Sequence, residues 1–291
     1  MQSHTLPLSY RYIRPANPVE TPVPLVLDSP HSGTEYPPDF AAAIPHGALR
    51  TAEDTWVADL WAGALEHGVP MLAARFPRSY IDANRGPDEI DPLLLDAPWP
   101  EPLPDSPKVR LGKGLIWRMM DDGTPLYDRK LSLAEVRHRI EACWKPYHDT
   151  LRTAMDSAHA ACGQAWHINC HSMPSVAAKF ATDKPGLVHP DFVLGDRDGE
   201  TAAPEFREFV AEFLRGRGYS VSVNDPYKGV EIVRRCGDPA QGRHSLQVEI
   251  NRKLYMDEVS LRPSAGFDKL REDLAELTAE MLRWMRAQIQ G

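Results

Sequence analysis

The sequence lacks the features of a protein that crosses or enters a membrane. Within its 291 residues, no uninterrupted apolar run approaches the roughly 18 residues that a transmembrane helix requires. The opening stretch MQSHTLPLSYRYIRPANP also lacks the apolar segment of a secretory signal. These absences predict a cytoplasmic protein without a membrane partner.

Cysteine is scarce, and charge of one sign is nowhere concentrated. The four cysteines, at positions 143, 162, 170 and 236, form no CxxC pair. This argues against a disulfide framework and predicts reduced thiols. Lysine and arginine number 33 against 41 acidic residues, a net charge of −8 without a long basic block. The balance argues against a nucleic-acid partner, and the sequence leaves the oligomeric state open.

Apolar residues are plentiful enough, at 42%, for one well-packed core. Short apolar runs alternate with stretches of helical periodicity, the order typical of βαβ units. The predicted fold is therefore a single α/β domain over residues 1–291, a three-layer α/β/α sandwich with a mixed, mostly parallel central sheet. Extended segments are predicted at residues 23–27, 71–76, 79–84, 165–172, 219–224, 229–235 and 245–254.

Helical periodicity marks four further stretches. Helices are predicted at residues 51–68, 132–161, 201–218 and 266–288. In the first, Thr51 and Asp54 resemble a capping pair and Gly68 a C-terminal cap. The second opens on a capping box at Ser132 and should bend or split at Pro146.

Proline is abundant, and its distribution is uneven. Of 27 prolines, seven lie between Pro87 and Pro107. An irregular connection of this length is uncommon in a compact domain unless it serves a site. We therefore expect residues 87–114 to form an insertion that acts as a lid or a wall.

Two histidines occupy equivalent places at the ends of predicted strands. His31 lies in LDSPHSGTEYP beside the small pair Ser32 and Gly33. His171 lies at the end of AWHINCHS, just before Ser172 and on the same strand face as Asn169. Taken alone, each histidine is as readily explained as a packed structural residue as it is as a metal ligand. Because ligands of open α/β sheets bind outside the carboxyl ends of strands, the pair predicts a metal site, where the Ser-Gly pair leaves room for metal and substrate.

A third metal ligand is needed, because a catalytic zinc holds about three protein ligands and keeps one position for water. Glu35, Glu53 and Asp54 are the acidic candidates, and spacing does not choose among them. Asp54 also has a purely structural alternative, an interaction with Thr51 and the dipole of the predicted helix.

A carboxylate and several arginines complete the candidate chemistry. Glu249 lies within the apolar alternation of SLQVEINR, where an ionised carboxylate is costly unless paired or functional. It is a candidate general base, or a solvated residue if its strand lies at an edge. Arg78, Arg85 and Arg234 suit an anionic substrate, since guanidinium groups bind carboxylates, and surface ion pairs are the alternative.

The sequence resembles the N-formylglutamate amidohydrolase family. The matching stretches, from about residue 25 to residue 258, are SPHSGTEYP, AEDTWVADL, PRSYIDANR, KPYHDTL, NCHSMPSV, LGDRDG and YKGVEIVRRCGDPAQGRHSLQVEINRKLYMDE. The resemblance implies a zinc-dependent amide hydrolase with a fold similar to that of the zinc carboxypeptidases. In those enzymes an acidic ligand follows the first histidine by three residues, where this chain has Thr34. The ED pair before the next predicted helix then points to Asp54.

The roles implied by the resemblance involve eight residues. They are His31, Asp54 and His171 as ligands of Zn²⁺ or another divalent metal, Glu249 as general base, Arg78 at the oxyanion, and Asn84, Arg85 and Arg234 at substrate carboxylates. The implied reaction is hydrolysis of N-formyl-L-glutamate, a small anionic substrate, to formate and L-glutamate, with histidine degradation as its context.

Three other functions compete with this one. A zinc deacylase or carboxypeptidase would use the same metal ligands on another N-acyl amino acid. A metal-binding or solute-binding protein would keep the ligands and lack turnover. Nucleophilic catalysis by Ser32, Ser172 or Cys170 is disfavoured, because neighbouring strand residues point to opposite faces and no GxSxG elbow is present.

Overall fold

A computed structural model describes residues 9–14, 22–178 and 185–290. The strands in these residues are β1 Tyr10–Ile13, β2 Leu25–Ser29, β3 Met71–Ala74, β4 Ala165–Met173, β5 Phe192–Gly195, β6 Val221–Val223 and β7 Arg243–Asn251. They form one sheet in the order β1-β3-β2-β4-β7-β5-β6. The pairs β1–β3 and β5–β7 are antiparallel and the other pairs are parallel. The predicted mixed, mostly parallel sheet is therefore confirmed.

The α-helices of the described residues differ widely in length. They are α1 His46–Leu49, α2 Val57–Leu60, α3 Pro107–Arg110, α4 Leu133–Arg139, α5 Lys145–Cys162, α6 Pro204–Gly216, α7 Glu231–Cys236 and α8 Phe267–Gln290. Short 3₁₀ helices lie at Pro38–Phe40, Arg50–Ala52, Trp61–His67, Pro92–Leu94, Pro239–Gln241 and Arg252–Leu254.

None of the described helices is both long and apolar enough to cross a bilayer. The expectation that no export signal opens the chain concerns residues 1–18, of which residues 1–8 and 15–18 lie outside the described residues.

Apolar side chains form two clusters, one on each face of the sheet. Alternation along β2 sends Val26 into the cluster beneath α5 and Leu27 into the cluster beneath α6 and α8. Trp166 on β4 joins the second cluster, and Tyr147 of α5 joins the first. Helices therefore cover both faces, which confirms the predicted three-layer α/β/α arrangement.

The predicted helix at residues 51–68 is wrong as a continuous element. Glu53 has an extended backbone, and Trp56 has a left-handed one, with φ of 68°, so the chain turns twice before α2. After these turns α2 and the following 3₁₀ helix are helical, and Gly68 ends them in a left-handed conformation as predicted, with φ of 83°. Residues 51–68 do have the apolar periodicity of a helix, but the two turns interrupt it. Asp54 lies between these turns.

The predicted extended segments at 229–235 and 79–84 are also wrong. Residues 231–236 form α7, because buried Ile232 and Val233 fit a helix face as well as a strand. Glu231 also bonds Arg234 and Arg235 one turn on. Residues 79–84 form successive turns. In short segments, local alternation does not distinguish a strand from a turn of helix.

The predicted long helix at residues 132–161 is confirmed, but it contains a π-helical turn just before Pro146 and is not split there. Ser132 and Glu135 form the complete capping box of α4. A π-helical turn over Ile140–Trp144 then leads into α5, where Pro146 lies in the first turn. Proline cannot donate to the preceding turn of a helix, so the irregular hydrogen bonding of the π-helical turn before it accommodates Pro146.

Gly33 allows a close approach between two backbone segments. A Cβ at this position would lie 2.1 Å from the Phe76 carbonyl oxygen and 2.6 Å from the Arg75 carbonyl oxygen. The absence of a side chain therefore serves contact with the segment after β3, and the expectation that Gly33 makes room for metal and substrate is wrong.

We expect Gly33→Ala to lower the free energy of unfolding by about 1–3 kcal/mol, because overpacking against backbone is not relieved by a rotamer change. Urea denaturation followed by circular dichroism measures this. Gly47→Ala is the matched control, since a Cβ there meets nothing within 4 Å and the helical position favours alanine by about 1 kcal/mol. Equal stabilities of the two variants would contradict the close approach.

Candidate active site

The predicted metal ligands meet at the carboxyl end of the parallel strands. His31 follows β2, and His171, near the end of β4, pairs in register with Glu249 on β7. A cavity of about 470 Å³ opens at this edge, and His31, His171 and Glu249 line it. The location is the one expected for a ligand site in an open α/β sheet.

His31, Asp54 and His171 form a cluster of metal-ligand type. One potential ligand atom from each lies within 4.8 Å of the others. The shared centre is Asp54 Oδ2, which lies 3.3 Å from His31 Nδ1 and 3.0 Å from His171 Nδ1. All three residues are buried, so the cluster is a compact set of two nitrogens and one carboxylate oxygen.

His31 is oriented by a carboxylate behind it. Its Nε2 lies 2.7 Å from Asp82 Oδ1. Burial raises the pKa of Asp82, but His31, Arg78 and Arg85 outweigh that effect and hold the pKa well below its usual range. Asp82 is therefore an acceptor, so His31 Nε2 donates to it.

The Nδ1 atom of His31 is buried and has no hydrogen-bond partner. It faces the carboxylate of Asp54, and these two atoms can share either a proton or a metal cation. The donor set of two imidazole nitrogens and a carboxylate oxygen is one that zinc accepts. The residues therefore fit a divalent metal, with Asp82 in the supporting position that carboxylates commonly take behind a ligating histidine.

Asp54 is held by cations as well as by the histidines. Its Oδ1 lies 3.2 Å from Arg252 Nη2 and 3.7 Å from Arg78 Nη1. Burial raises the pKa of Asp54, but His171, His31 and Arg78 lower it well below the usual range. The alternative capping role is wrong, because Thr51 donates its hydroxyl to the Ala48 carbonyl instead.

The two other acidic candidates lie apart from the cluster. Glu53 accepts hydrogen bonds from Tyr36 Oη at 2.6 Å and Arg50 Nε at 3.1 Å. Glu35 forms a surface ion pair with Arg75. Of the three acids left open by spacing, only Asp54 reaches both histidines.

Glu249 lies on an interior strand, so the edge-strand alternative is wrong. Its Oε1 accepts a hydrogen bond from Gln247 Nε2 at 2.9 Å. Burial is the main cause that raises its pKa to about 6; His171 and Arg78 oppose this shift, and Asp54 adds to it. A carboxyl with this pKa can both accept and return a proton near neutrality.

Most of the charged side chains that line the cavity are cations. They are Arg78, Arg85, Lys108, Lys113, Arg197, Lys228 and Arg252, against the carboxylates of Asp121 and Glu249. In a chain of net charge −8, this local excess favours an anionic ligand. Lys108, Leu111 and Lys113 come from the proline-rich insertion, so that segment forms one wall.

Arg234 is placed differently from the prediction. It is absent from the cavity lining, is 54% exposed and forms an ion pair with Glu231 on its own helix. Its position follows from the segment being helical instead of extended. Arg85 does line the cavity, but two of its donors are used by the backbone carbonyls of Lys113 and Asn84.

Two cations at the rim lie on loops that pack against each other. The Arg197 N–H donates to the Lys228 carbonyl at 2.8 Å, and a Cβ on Gly195 would lie 2.6 Å from the Lys228 carbonyl carbon. Their side chains pair with exposed acids, Arg197 with Glu200 and Lys228 with Asp198. Exposed pairs are weak, so a substrate carboxylate can replace the acidic partner.

The site predicted from the sequence does not include Asp82, Gln247 and Arg252. Arg252 carried a signal, because it directly follows strand β7 at the carboxyl edge. Gln247 shares the alternating face of Glu249. Asp82 carried none, since it lies in a turn whose position depends on the tertiary fold.

The nucleophile alternative finds no support in the position of Cys170. The thiol is fully buried in the apolar cluster beneath α6 and α8 and donates weakly to the Ile168 carbonyl. Burial raises its pKa well above the usual value, so the thiol is neutral and shielded from the cavity. Cys170 and His171 lie on opposite faces of the sheet, as strand alternation predicts.

The fold and the site define an α/β protein with a buried two-histidine, one-carboxylate cluster beneath a cation-lined cavity. The family model of N-formylglutamate amidohydrolase matches residues 23–256. The chain belongs to the N-formylglutamate amidohydrolase family.

Individual relatives agree with this assignment over nearly the whole chain. An N-formylglutamate deformylase of Pseudomonas putida is 30% identical over 269 residues, and one of Pseudomonas aeruginosa is 32% identical over 265 residues, each covering 90% of both chains. The crystal structure of an N-formylglutamate amidohydrolase from Ralstonia eutropha JMP134 superimposes with a TM-score of 0.91 at 46% identity, covering 97% of this chain and 99% of that one.

Proposed function

We propose that this protein hydrolyses N-formyl-L-glutamate to formate and L-glutamate with a divalent metal, most simply Zn²⁺. The observation that carries the proposal is the cluster of His31, Asp54 and His171 in the same cation-lined cavity as Glu249. The deformylase activity of the relatives named above supports the choice of substrate.

His31 Nδ1, His171 Nδ1 and an oxygen of Asp54 would hold the metal. When bound, a divalent metal of this kind lowers the pKa of a coordinated water and polarises a carbonyl oxygen. Arg252 and Arg78 neutralise the outer oxygen of Asp54, which fixes the orientation of the carboxylate.

Glu249 is the proposed general base. Its carboxylate takes a proton from the attacking water as the oxygen adds to the formyl carbon. The same carboxyl then returns that proton to the amine nitrogen as the C–N bond breaks, which balances the hydrolysis. The hydrogen bond from Gln247 Nε2 orients one oxygen of Glu249 and leaves the other for proton transfer.

Arg78 is the proposed partner of the developing oxyanion. Its guanidinium is held by Asp82 at 3.1 Å and stacks over the Trp117 ring with a centroid distance of 4.9 Å. A cation fixed in place before the reaction stabilises developing charge without reorganisation. Arg85, with the neighbouring Asn84, is the proposed site for one substrate carboxylate.

A substrate panel tests the proposed function. Purified protein is assayed for formate or amine release from N-formyl-L-glutamate, N-formyl-L-aspartate, N-acetyl-L-glutamate and N-succinyl-L-glutamate, before and after chelation, with metal analysis of the same sample. We expect the formyl glutamate to be preferred, and activity to be lost on chelation and restored by metal. Equal turnover of the acetyl compound would instead support a broader deacylase, and metal binding without turnover would support a binding protein.

Arg197 and Lys228 at the rim replace Arg234 as the proposed site for the second carboxylate. We expect Lys228→Gln to raise KM for N-formyl-L-glutamate about two- to fivefold, since a contact between exposed charges is worth about 0.2–1 kcal/mol. The kcat should change little, because the contact is the same in the ground and transition states. Steady-state kinetics measure both constants.

The same assay on N-formyl-L-glutamine isolates the charge effect. We expect the wild-type preference for glutamate over glutamine to shrink in Lys228→Gln and in Arg197→Gln. Arg234→Gln is the matched control and should keep the wild-type preference, since Arg234 does not line the cavity. A lost preference in the control alone would restore Arg234 to the substrate site.

A further inference from the structure

A chain of buried polar side chains runs from the cavity floor into the sheet. His171 Nε2 contacts Asn169, Asn169 donates to Asp28, Asp28 contacts His167, and His167 contacts Ser245 on β7. All five residues are at most 2% exposed. Burying so many polar groups is costly unless each is bonded, and the reaction proposed above uses only His171.

The directions of these hydrogen bonds follow from Asp28. Burial raises its pKa, but the contacts from His167, Tyr147 and Asn169 outweigh burial and leave the pKa below its usual value. The carboxylate therefore only accepts. Asn169 must direct its Nδ2 to Asp28 Oδ1, at 2.7 Å, and hence its Oδ1 to His171 Nε2, at 2.8 Å.

His171 Nε2 has a second neighbour with the opposite preference. Asn84 Nδ2 lies 3.1 Å away, and its orientation is fixed because Asn84 Oδ1 accepts the Ile232 N–H at 2.9 Å. If Nε2 accepted from Asn84, the oxygen of Asn169 would be left without a donor. If Nε2 donates to Asn169, Asn84 Nδ2 still reaches Gln247 Oε1 at 3.5 Å. With a metal cation between His171 Nδ1 and Asp54, only the second arrangement gives every buried group a partner.

We propose that Asp28 and Asn169 are positioning residues that hold His171 in the Nε2–H tautomer and thereby direct the Nδ1 lone pair to the metal. The inference rests on the metal site of the proposed function. Asp28 fixes the orientation of the Asn169 amide, and that amide fixes the tautomer of the His171 imidazole. A carboxylate that does not itself contact the metal therefore decides which imidazole nitrogen is available to it.

Loss of this control has a specific structural consequence. Without Asn169, the remaining side-chain amide beside Nε2 is Asn84, which donates and so favours the proton on Nδ1. A proton there would bond Asp54 Oδ2, which lies 3.0 Å away. One misplaced proton would then block two ligand atoms at once.

Two measurements on the full-length chain test the proposal. Nitrogen-15 NMR of histidine-labelled, metal-free protein above the histidine titration range reports the tautomer, with the His171 signals assigned by their loss in His171→Gln. Competition with a chromophoric chelator gives the Kd for Zn²⁺. We expect a larger Nε2–H population in the wild type than in Asn169→Ala, where Asn84 and Asp54 both favour Nδ1–H, and about 10- to 100-fold weaker zinc binding in that variant.

An exchange of the two side chains provides a rescue. Asn169→Asp alone places two carboxylates against each other and should bind zinc as poorly as Asn169→Ala. In the double variant Asp28→Asn, Asn169→Asp, the new amide donates to the new carboxylate, which still accepts from His171. We expect this variant to recover the tautomer and to bind zinc within about threefold of the wild type, whereas Ser245→Ala, at the far end of the chain, should change the Kd by less than about threefold.

Each failure has its own signature. An unchanged His171 tautomer or an unchanged zinc Kd in Asn169→Ala overturns the positioning role. If Asn169→Ala does not fold, failure of the double variant to improve on Asn169→Asp overturns it. Absence of zinc binding by the wild-type chain instead overturns the proposed function, and the inference with it.

Discussion

Glu249→Gln should retain the metal and lose hydrolysis by about 10²- to 10⁴-fold in kcat, the contribution typical of a general base. Glutamine has nearly the same shape, and its amide can still contact Gln247, but it cannot take a proton from water. The cost should fall on kcat, because Glu249 acts on the reacting water and not on the substrate carboxylates. Formate release and metal content measured on the same preparation separate the two properties.

Asp121→Asn is the matched control for this substitution. Asp121 also lines the cavity, so the variant removes a carboxylate from the same electrostatic environment, and we expect kcat to stay within about threefold of wild type since surface ion pairs contribute little. Wild-type hydrolysis by Glu249→Gln would refute the assigned role. It would also favour a mechanism in which the bound metal alone activates the water.

Asp54→Asn should abolish metal binding, whereas Glu53→Gln should not. The carboxylate of Asp54 reaches both histidines, while that of Glu53 is bonded to Tyr36 and Arg50. We expect zinc affinity to fall at least about 100-fold in Asp54→Asn, since supporting residues alone cost 10- to 100-fold, with hydrolysis lost in parallel. Chelator competition and metal analysis after dialysis measure the effect.

The comparison is sharp because the two acids are adjacent, are both buried and are changed in the same way. Glu53→Gln should keep full metal content and lose only some stability, through weaker contacts with Tyr36 and Arg50. The opposite pattern, with metal lost in Glu53→Gln and kept in Asp54→Asn, would mean that the cluster in the structure is not the metal site.

The sheet and its largest helices could be predicted because their signals are local. The segment AWHINCHS has the alternation of a strand, a signal that lies within its own residues. The capping box at Ser132 starts α4 through contacts within four residues. The helix over residues 51–68 was mispredicted for the opposite reason. The turns at Glu53 and Trp56 are stabilised by contacts with distant segments, including the bond from Trp56 Nε1 to the Leu261 carbonyl.

The sequence by itself determined the chemistry available to this protein: two histidines at strand ends, a carboxylate within an apolar strand and several arginines that suit an anionic substrate. Strand alternation fixed which of these residues share a face, because it depends only on the backbone. Only the tertiary structure decided which acid joins the histidines, that Arg234 faces away from the cavity and that Asp82 and Asn169 orient the imidazoles. Those choices rest on distances between segments far apart in the chain, and such distances arise only when the sheet and its loops pack together.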